Sequence, residues 1–193
     1  ANTTIYAKWD IPGKIISTAQ EFYDMTISGS DEMFTLINDI DFTGFEWIES
    51  GSGTTFKGVL NGNGKTISNL TIVGSGTSVY GGVFQRVNGA SILDLTLDAV
   101  SVNVDGRAGV LIGRIESAPI TVSNVTILNS AVTGTASEGA GILVGNATYG
   151  LNGTSIIIKN SIASSTNKYV GILVGRADRE INVTDLFIDN SKA

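Results

Sequence analysis

Apolar residues recur along this chain in two short motifs, each returning after about thirty residues. The first is Gly82-Val83-Phe84-Gln85, Gly109-Val110-Leu111-Ile112-Gly113, Gly141-Ile142-Leu143-Val144-Gly145 and Gly171-Ile172-Leu173-Val174-Gly175, whose leading glycines lie 27, 32 and 30 residues apart. The second runs out of phase with it: Ile67-Ser68-Asn69-Leu70-Thr71-Ile72, Ile92-Leu93-Asp94-Leu95-Thr96-Leu97, Val122-Ser123-Asn124-Val125-Thr126-Ile127 and Val183-Thr184-Asp185-Leu186-Phe187-Ile188. Ser155-Ile156-Ile157-Ile158 fills the gap, so the steps read 25, 30, 31 and 30. Two markers sharing one period between 20 and 50 residues signal a solenoid or a propeller. Propeller blades need longer repeats and more aromatic residues than this chain carries, which favours the solenoid.

Strand alternation turns the second motif outward and inward by position. Leu70/Ile72, Leu95/Leu97, Val125/Ile127, Ile156/Ile158 and Leu186/Ile188 are expected to point inward, and Thr71, Thr96 and Thr126 outward. Coils stacked about 4.8 Å apart then form continuous apolar files. The predicted fold is all-β: a right-handed, single-stranded parallel β-helix with about 25–32 residues per coil. Upstream, Phe34 to Phe42 alternates like a strand, and Phe56 to Ile67 passes through Asn61-Gly62-Asn63-Gly64 into the first coil.

The Gly-Ile-Leu-Val-Gly segments carry three apolar residues in succession, so strict alternation leaves some facing out. With Phe84, Leu111, Leu143 and Leu173 in the core, Val83, Val110, Ile142 and Ile172 line one exterior column. Gln85, Ile112, Val144 and Val174 line another. Such a stripe needs a cover, either the segment from Ile11 to Thr26 or another chain. The expectation is a protein-contact face for self-association or docking.

Composition narrows the function. The 193 residues include 24 glycines and two prolines, which suits strands and tight turns and makes helices rare or absent. With 12 basic and 18 acidic residues the net charge is −6, and no basic run offers a nucleic acid its counter-charge. Cysteine and histidine are absent, so thiolate chemistry and the commonest general base are gone, and catalysis would fall to carboxylates. No apolar run reaches the roughly 20 residues that span a bilayer. No cofactor, catalytic residue or metal site is expected, and no direct insertion into a membrane.

The run from Phe34 to Ile72, followed by the Gly-Ile-Leu-Val-Gly segments, resembles bacterial surface proteins carrying the GLUG motif, over about residues 30 to 193. The resemblance implies a right-handed β-helix scaffold from secreted or wall-anchored proteins, found beside IgA-specific metallopeptidase domains, with no catalytic residues to carry over. This chain departs from the pattern at Gln85, Ile142 and Ile172. Thr3-Thr4-Ile5-Tyr6-Ala7-Lys8-Trp9 resembles the closing strand of the listerial-internalin-type repeat of surface proteins. The expected organisation is a linker or closing strand over residues 1–10 and a solenoid over 11–193. Its amino-terminal cap region covers about 11–33 and its clear repeats 34–193, within a segment cut from a longer chain.

Other clusters have a structural and a chemical reading. Asp39 and Asp41, with Glu46 and Glu49 nearby, suit a solvated edge or turn hydrogen bonds better than calcium or a hydrolytic pair. Asn69, Asp94, Asn124 and Asp185 share one expected column, a structural amide or carboxylate ladder. Asn-X-Thr sequons at Asn2, Asn69, Asn124, Asn146, Asn152 and Asn182 arise from the same composition. The threonine file recurs as in ice-binding solenoids, but Ile157 and Phe187 interrupt it. Tyr80, Tyr149 and Tyr169 sit near corners, where outward rings could stack on sugars. Polysaccharide-degrading β-helix enzymes need a cluster of carboxylates with a basic residue on one face, and Arg86, Arg107, Arg114, Arg176 and Arg179 show no such grouping. The reading is a non-catalytic extracellular stalk or adhesin scaffold held at a cell surface by other parts of the protein. It contacts protein or glycan, with self-association as one mode. The alternatives are a carbohydrate-binding module or a polysaccharide-degrading β-helix enzyme.

Overall fold

The computed structural model describes residues 12–49, 53–135, 139–166 and 169–193. The internalin-like segment Thr3–Trp9, the sequon at Asn2 and the whole of residues 1–10 lie outside the described residues.

Four successive coils each contribute one strand to each of four sheets, and every strand pair is parallel. In one coil these are Ser91–Asp98, Ser101–Val104, Arg107–Gly109 and Ile112–Ile115. The next coil repeats them as Ile120–Leu128, Ala131–Gly134, Ala140–Gly141 and Val144–Ala147, and the following one as Leu151–Lys159, Ile162–Ser165, Val170–Gly171 and Val174–Ala177. The longest strand joins its equivalents in an eight-stranded sheet that ends at Ile181–Asp189. The fold is a β-solenoid of about five turns.

Register confirms the apolar files. Leu95 pairs with Val125, Val125 with Ile156 and Ile156 with Leu186. Leu95, Val125 and Ile156 are buried, whereas Leu186, in the last turn, is partly open. Within each long strand one residue turns left-handed: Asp94, Asn124, Ser155 and Asp185 have φ of 53°, 52°, 52° and 56°. That residue resets the alternation, so the inward residues are spaced by three and then two, as in Ile92, Leu95 and Leu97. Asparagine and aspartate adopt this conformation at least cost among residues other than glycine.

The first coil departs from the expected alignment. Ile67 pairs with Leu97 rather than Ile92, and Leu60 takes the place opposite Ile92. Asn61 to Lys65 carries more residues than the facing stretch, and the register shifts there. The step of 25 read from the sequence is therefore 30 at this file. Asn69 moves with it, into a corner file with Ala99, Asn129, Asn160 and Asn190, all left-handed at φ of 45–56°.

At the amino-terminal end, Lys14–Ile16 adds an edge strand to Met33–Leu36. The helix Ala19–Ile27 starts at a capping box, in which Thr18 accepts from the Glu21 backbone and Glu21 accepts from the Thr18 backbone. Phe22 and Met25 enter the core, where Phe22 meets Phe42 edge-on with ring centres 5.9 Å apart and Trp47 at 6.5 Å. This segment packs on the end of the solenoid, not along the Gly-Ile-Leu-Val-Gly segments.

Candidate functional site

The exterior apolar columns expected from the sequence are interior. Val83 is 1% exposed, and Val110, Ile142, Ile112 and Val144 are 0% exposed. Ile172 and Val174, in the last coil, are half-buried and pack on the core. Leu111 and Leu143 are buried as well. The cause is a bend. Strand Arg107–Gly109 stops before Val110, and Ile112–Ile115 starts after Leu111, so no continuous strand imposes alternation. The bend folds one strand back onto another, and glycine lets the backbones touch: a Cβ on Gly145 would lie 2.6 Å from the Ala108 carbonyl oxygen. A docking face built on Val83, Val110, Ile142, Ile112 and Val144 is thereby removed, because those side chains reach no solvent.

The three tyrosines occupy different settings. Tyr80 is 8% exposed, and guanidinium groups cover its ring: Arg107 lies 4.8 Å from the ring centre, Arg114 5.6 Å and Arg86 6.0 Å. Arg114 also donates to the Tyr80 hydroxyl at 3.0 Å. Arg86 and Arg114 face each other in register and share the Glu116 carboxylate, at 3.4 and 3.8 Å. Three of the five arginines are thus brought together around one ring, with the single carboxylate of Glu116, and Tyr80 presents no free face for a sugar. Tyr169 is 42% exposed, with Arg176 at 5.6 Å from its ring centre.

Tyr149 is 41% exposed and stands beside an open groove of about 250 Å³ on another corner. Gly150, Asn152, Arg179, Glu180 and Asn182 line it with Tyr149. A second groove of about 290 Å³ shares Asn152 and Asn182 and continues along the outer face of the long sheet past Thr121, Ser123, Thr154 and Thr184. Asn152 pairs with Thr121 and with Asn182 in the ladder, so their side chains form one outward file.

The polar ladders are largely structural. Asn124 donates to Asp94 at 2.8 Å, Asn129 to Asp98 at 2.8 Å, Asn190 to Asn160 at 2.9 Å and Asn69 to Asp41 at 3.0 Å. Asp41 also accepts from Thr43, and these hydrogen bonds, that of Asn69 first, hold its carboxyl below the usual range. Asp39 accepts from the Thr66 backbone at 2.7 Å. Among the described residues, no group of three carboxylates is placed to hold a metal ion. No described helix is long and apolar enough to cross a membrane.

Glu49 is the exception among the carboxylates, being 5% exposed. Trp47 Nε1 donates to one oxygen at 2.8 Å and Gln85 Nε2 to the other, while Gln85 Oε1 accepts from the Thr54 backbone at 3.1 Å. Burial pushes the Glu49 carboxyl up to about 7, against the Trp47 hydrogen bond. Both oxygens face internal donors, which makes Glu49 an anchor between coils. No signal in the sequence marked it for burial.

No family model matches the chain, so the GLUG resemblance rests on the residues quoted for it. Halomucin of Haloquadratum walsbyi is 30% identical over 129 residues, which are 61% of this chain. The chain spans about 1% of that relative's length. A solved structure, of a candidate immunoglobulin A1 protease from Bacteroides ovatus, aligns with 92% of this chain and 74% of its own, at 15% identity and a TM-score of 0.33.

Proposed function

We propose that this chain is a non-catalytic β-solenoid segment of an extracellular surface protein, a stiff scaffold that serves adhesion or self-association. The observation that carries the reading is the unbroken coil-to-coil register in four sheets, from Tyr80 to Ala177. Each coil hydrogen-bonds to the next along most of its path, and its core residues fall into files. A body held together this way resists bending and gains length by adding coils, which suits reach and load-bearing better than turnover. The similarity to halomucin, a surface-associated protein, supports an extracellular setting.

Beads coated with the chain test the scaffold reading under flow, over immobilised matrix proteins and over the chain itself. The expected result is retention on at least one of these surfaces, with no turnover of peptide or polysaccharide substrates. Turnover without retention would overturn it.

A further inference from the structure

We propose that the groove beside Tyr149 binds a hydroxyl-rich oligosaccharide, with the ring of Tyr149 as its platform and the Asn152–Asn182 file as its hydrogen-bonding wall. An aromatic ring with one exposed face offers apolar contact and a polar edge together, which is what a pyranose with its C–H face and hydroxyl rim requires. An asparagine side chain supplies one acceptor and two donors in a plane, matched to a pair of neighbouring hydroxyls.

Three observations, taken together, support the assignment. The first is hydrogen-bond satisfaction. The left-handed residues Asn69, Asn124, Asn129 and Asn190 all donate to a neighbouring coil. Asn152 and Asn182, one above the other, make no side-chain hydrogen bond to any described residue and keep their full capacity for a ligand.

The second is Gly150. Its φ is not left-handed, and an added Cβ would meet nothing nearer than the Glu180 carbonyl oxygen at 3.4 Å and the Pro119 ring at 3.6 Å. Neither backbone conformation nor packing calls for glycine there, in contrast to Gly145. What glycine does at this position is leave the floor of the groove open between Tyr149 and Asn152.

The third is continuity and charge. The groove runs into the neighbouring one through the shared Asn152 and Asn182 and along hydroxyl-bearing Thr121 and Thr184, so several sugar units have polar contacts in line. Arg179 and Glu180, neighbours in the chain, both line the groove, so neither sign of charge dominates. That balance favours a neutral saccharide over an acidic one. Tyr169 has equal exposure but lies beside Arg176, outside both grooves, which makes it an internal control.

Titration of the intact chain with cellohexaose, maltohexaose, mannohexaose, xylohexaose and chitohexaose, followed by NMR or calorimetry, tests the assignment. At least one is expected to bind with a dissociation constant in the millimolar range or below. Tyr149→Ala is then expected to weaken it at least tenfold, Asn152→Ala with Asn182→Ala at least fivefold, and Gly150→Val, which fills the floor, to abolish it. Tyr169→Ala should change nothing. Thermal unfolding of each variant distinguishes loss of the site from loss of the fold, and none of the five positions is buried. The proposal fails if none of the five binds, if folded Tyr149→Ala binds as the parent does, or if Tyr169→Ala loses as much. Such failure leaves the scaffold reading untouched, since bead retention on protein surfaces does not pass through this groove.

Discussion

Burial of Glu49 makes the stability of this solenoid depend on pH in a direction opposite to that of most carboxylates. Its side chain sits between Trp47 and Gln85, and burial raises its pKa from 4.5 to about 7. Between those two values the folded chain holds a proton that the unfolded chain has released. Stability is therefore complete below about pH 4.5 and declines as pH rises toward 7. At about 1.4 kcal/mol per unit, the full loss is about 3 kcal/mol. Glu21, Glu32 and Asp41 have lowered values, so their contributions grow with pH until about pH 5.5 and are level above it, which leaves the decline from there toward pH 7 to Glu49. Urea unfolding followed by circular dichroism from pH 4.5 to 8 measures the effect. Glu49→Gln should flatten the profile, at a cost of about 1 kcal/mol, because the new amide meets either Trp47 or Gln85 donor to donor. Stability that is level or rising across this window in the parent, or a slope that survives in Glu49→Gln, would refute the reasoning.

Ile142→Lys should unfold the chain or cost several kcal/mol in chemical denaturation, since Ile142 is 0% exposed and a lone charge there has no partner; a soluble, fully stable variant would restore the exterior column. Ile156→Ala, in the file between Val125 and Leu186, is expected to lose about 2–5 kcal/mol by the same assay. Gly145→Ala places a methyl against the Ala108 backbone and should cost about 1–3 kcal/mol, while Gly150→Ala should be nearly neutral, a contrast that differential thermal melts read directly. Asn124→Ala loses both the hydrogen bond to Asp94 and a residue suited to φ of 52°, whereas Asn124→Gly loses only the bond, so the glycine variant should melt higher.

How much of this was legible in the chain depended on whether a residue's direction followed from its neighbours or from another coil. Leu95, Val125 and Ile156 were legible because a single period of about thirty and local alternation suffice to place them. The Gly-Ile-Leu-Val-Gly segments were not, since alternation holds only within a strand, and nothing in Val110-Leu111 marks a bend rather than an extended pair. The first coil was misaligned for a related reason. Asn61-Gly62-Asn63-Gly64 adds residues opposite Leu93 to Leu95, and an insertion in one turn alone leaves the later period intact.

The groove beside Tyr149 shows what a period makes readable once it is applied to polar positions as well. Arg179 and Asn182 each follow Tyr149 and Asn152 by one coil of thirty residues, so the pairing that closes the groove is a consequence of stacking alone. Tyr80 demanded more. Arg107 sits above it in one file, while Arg86 and Arg114 approach from a neighbouring sheet across the bend, and only the fold of that bend decides that guanidinium groups rather than solvent meet the ring. A tyrosine near a corner is thus open or covered according to the strand that lies beside it. Tyr149 is open because the residue next in its chain is Gly150, which puts nothing between the ring and the outer file of Asn152.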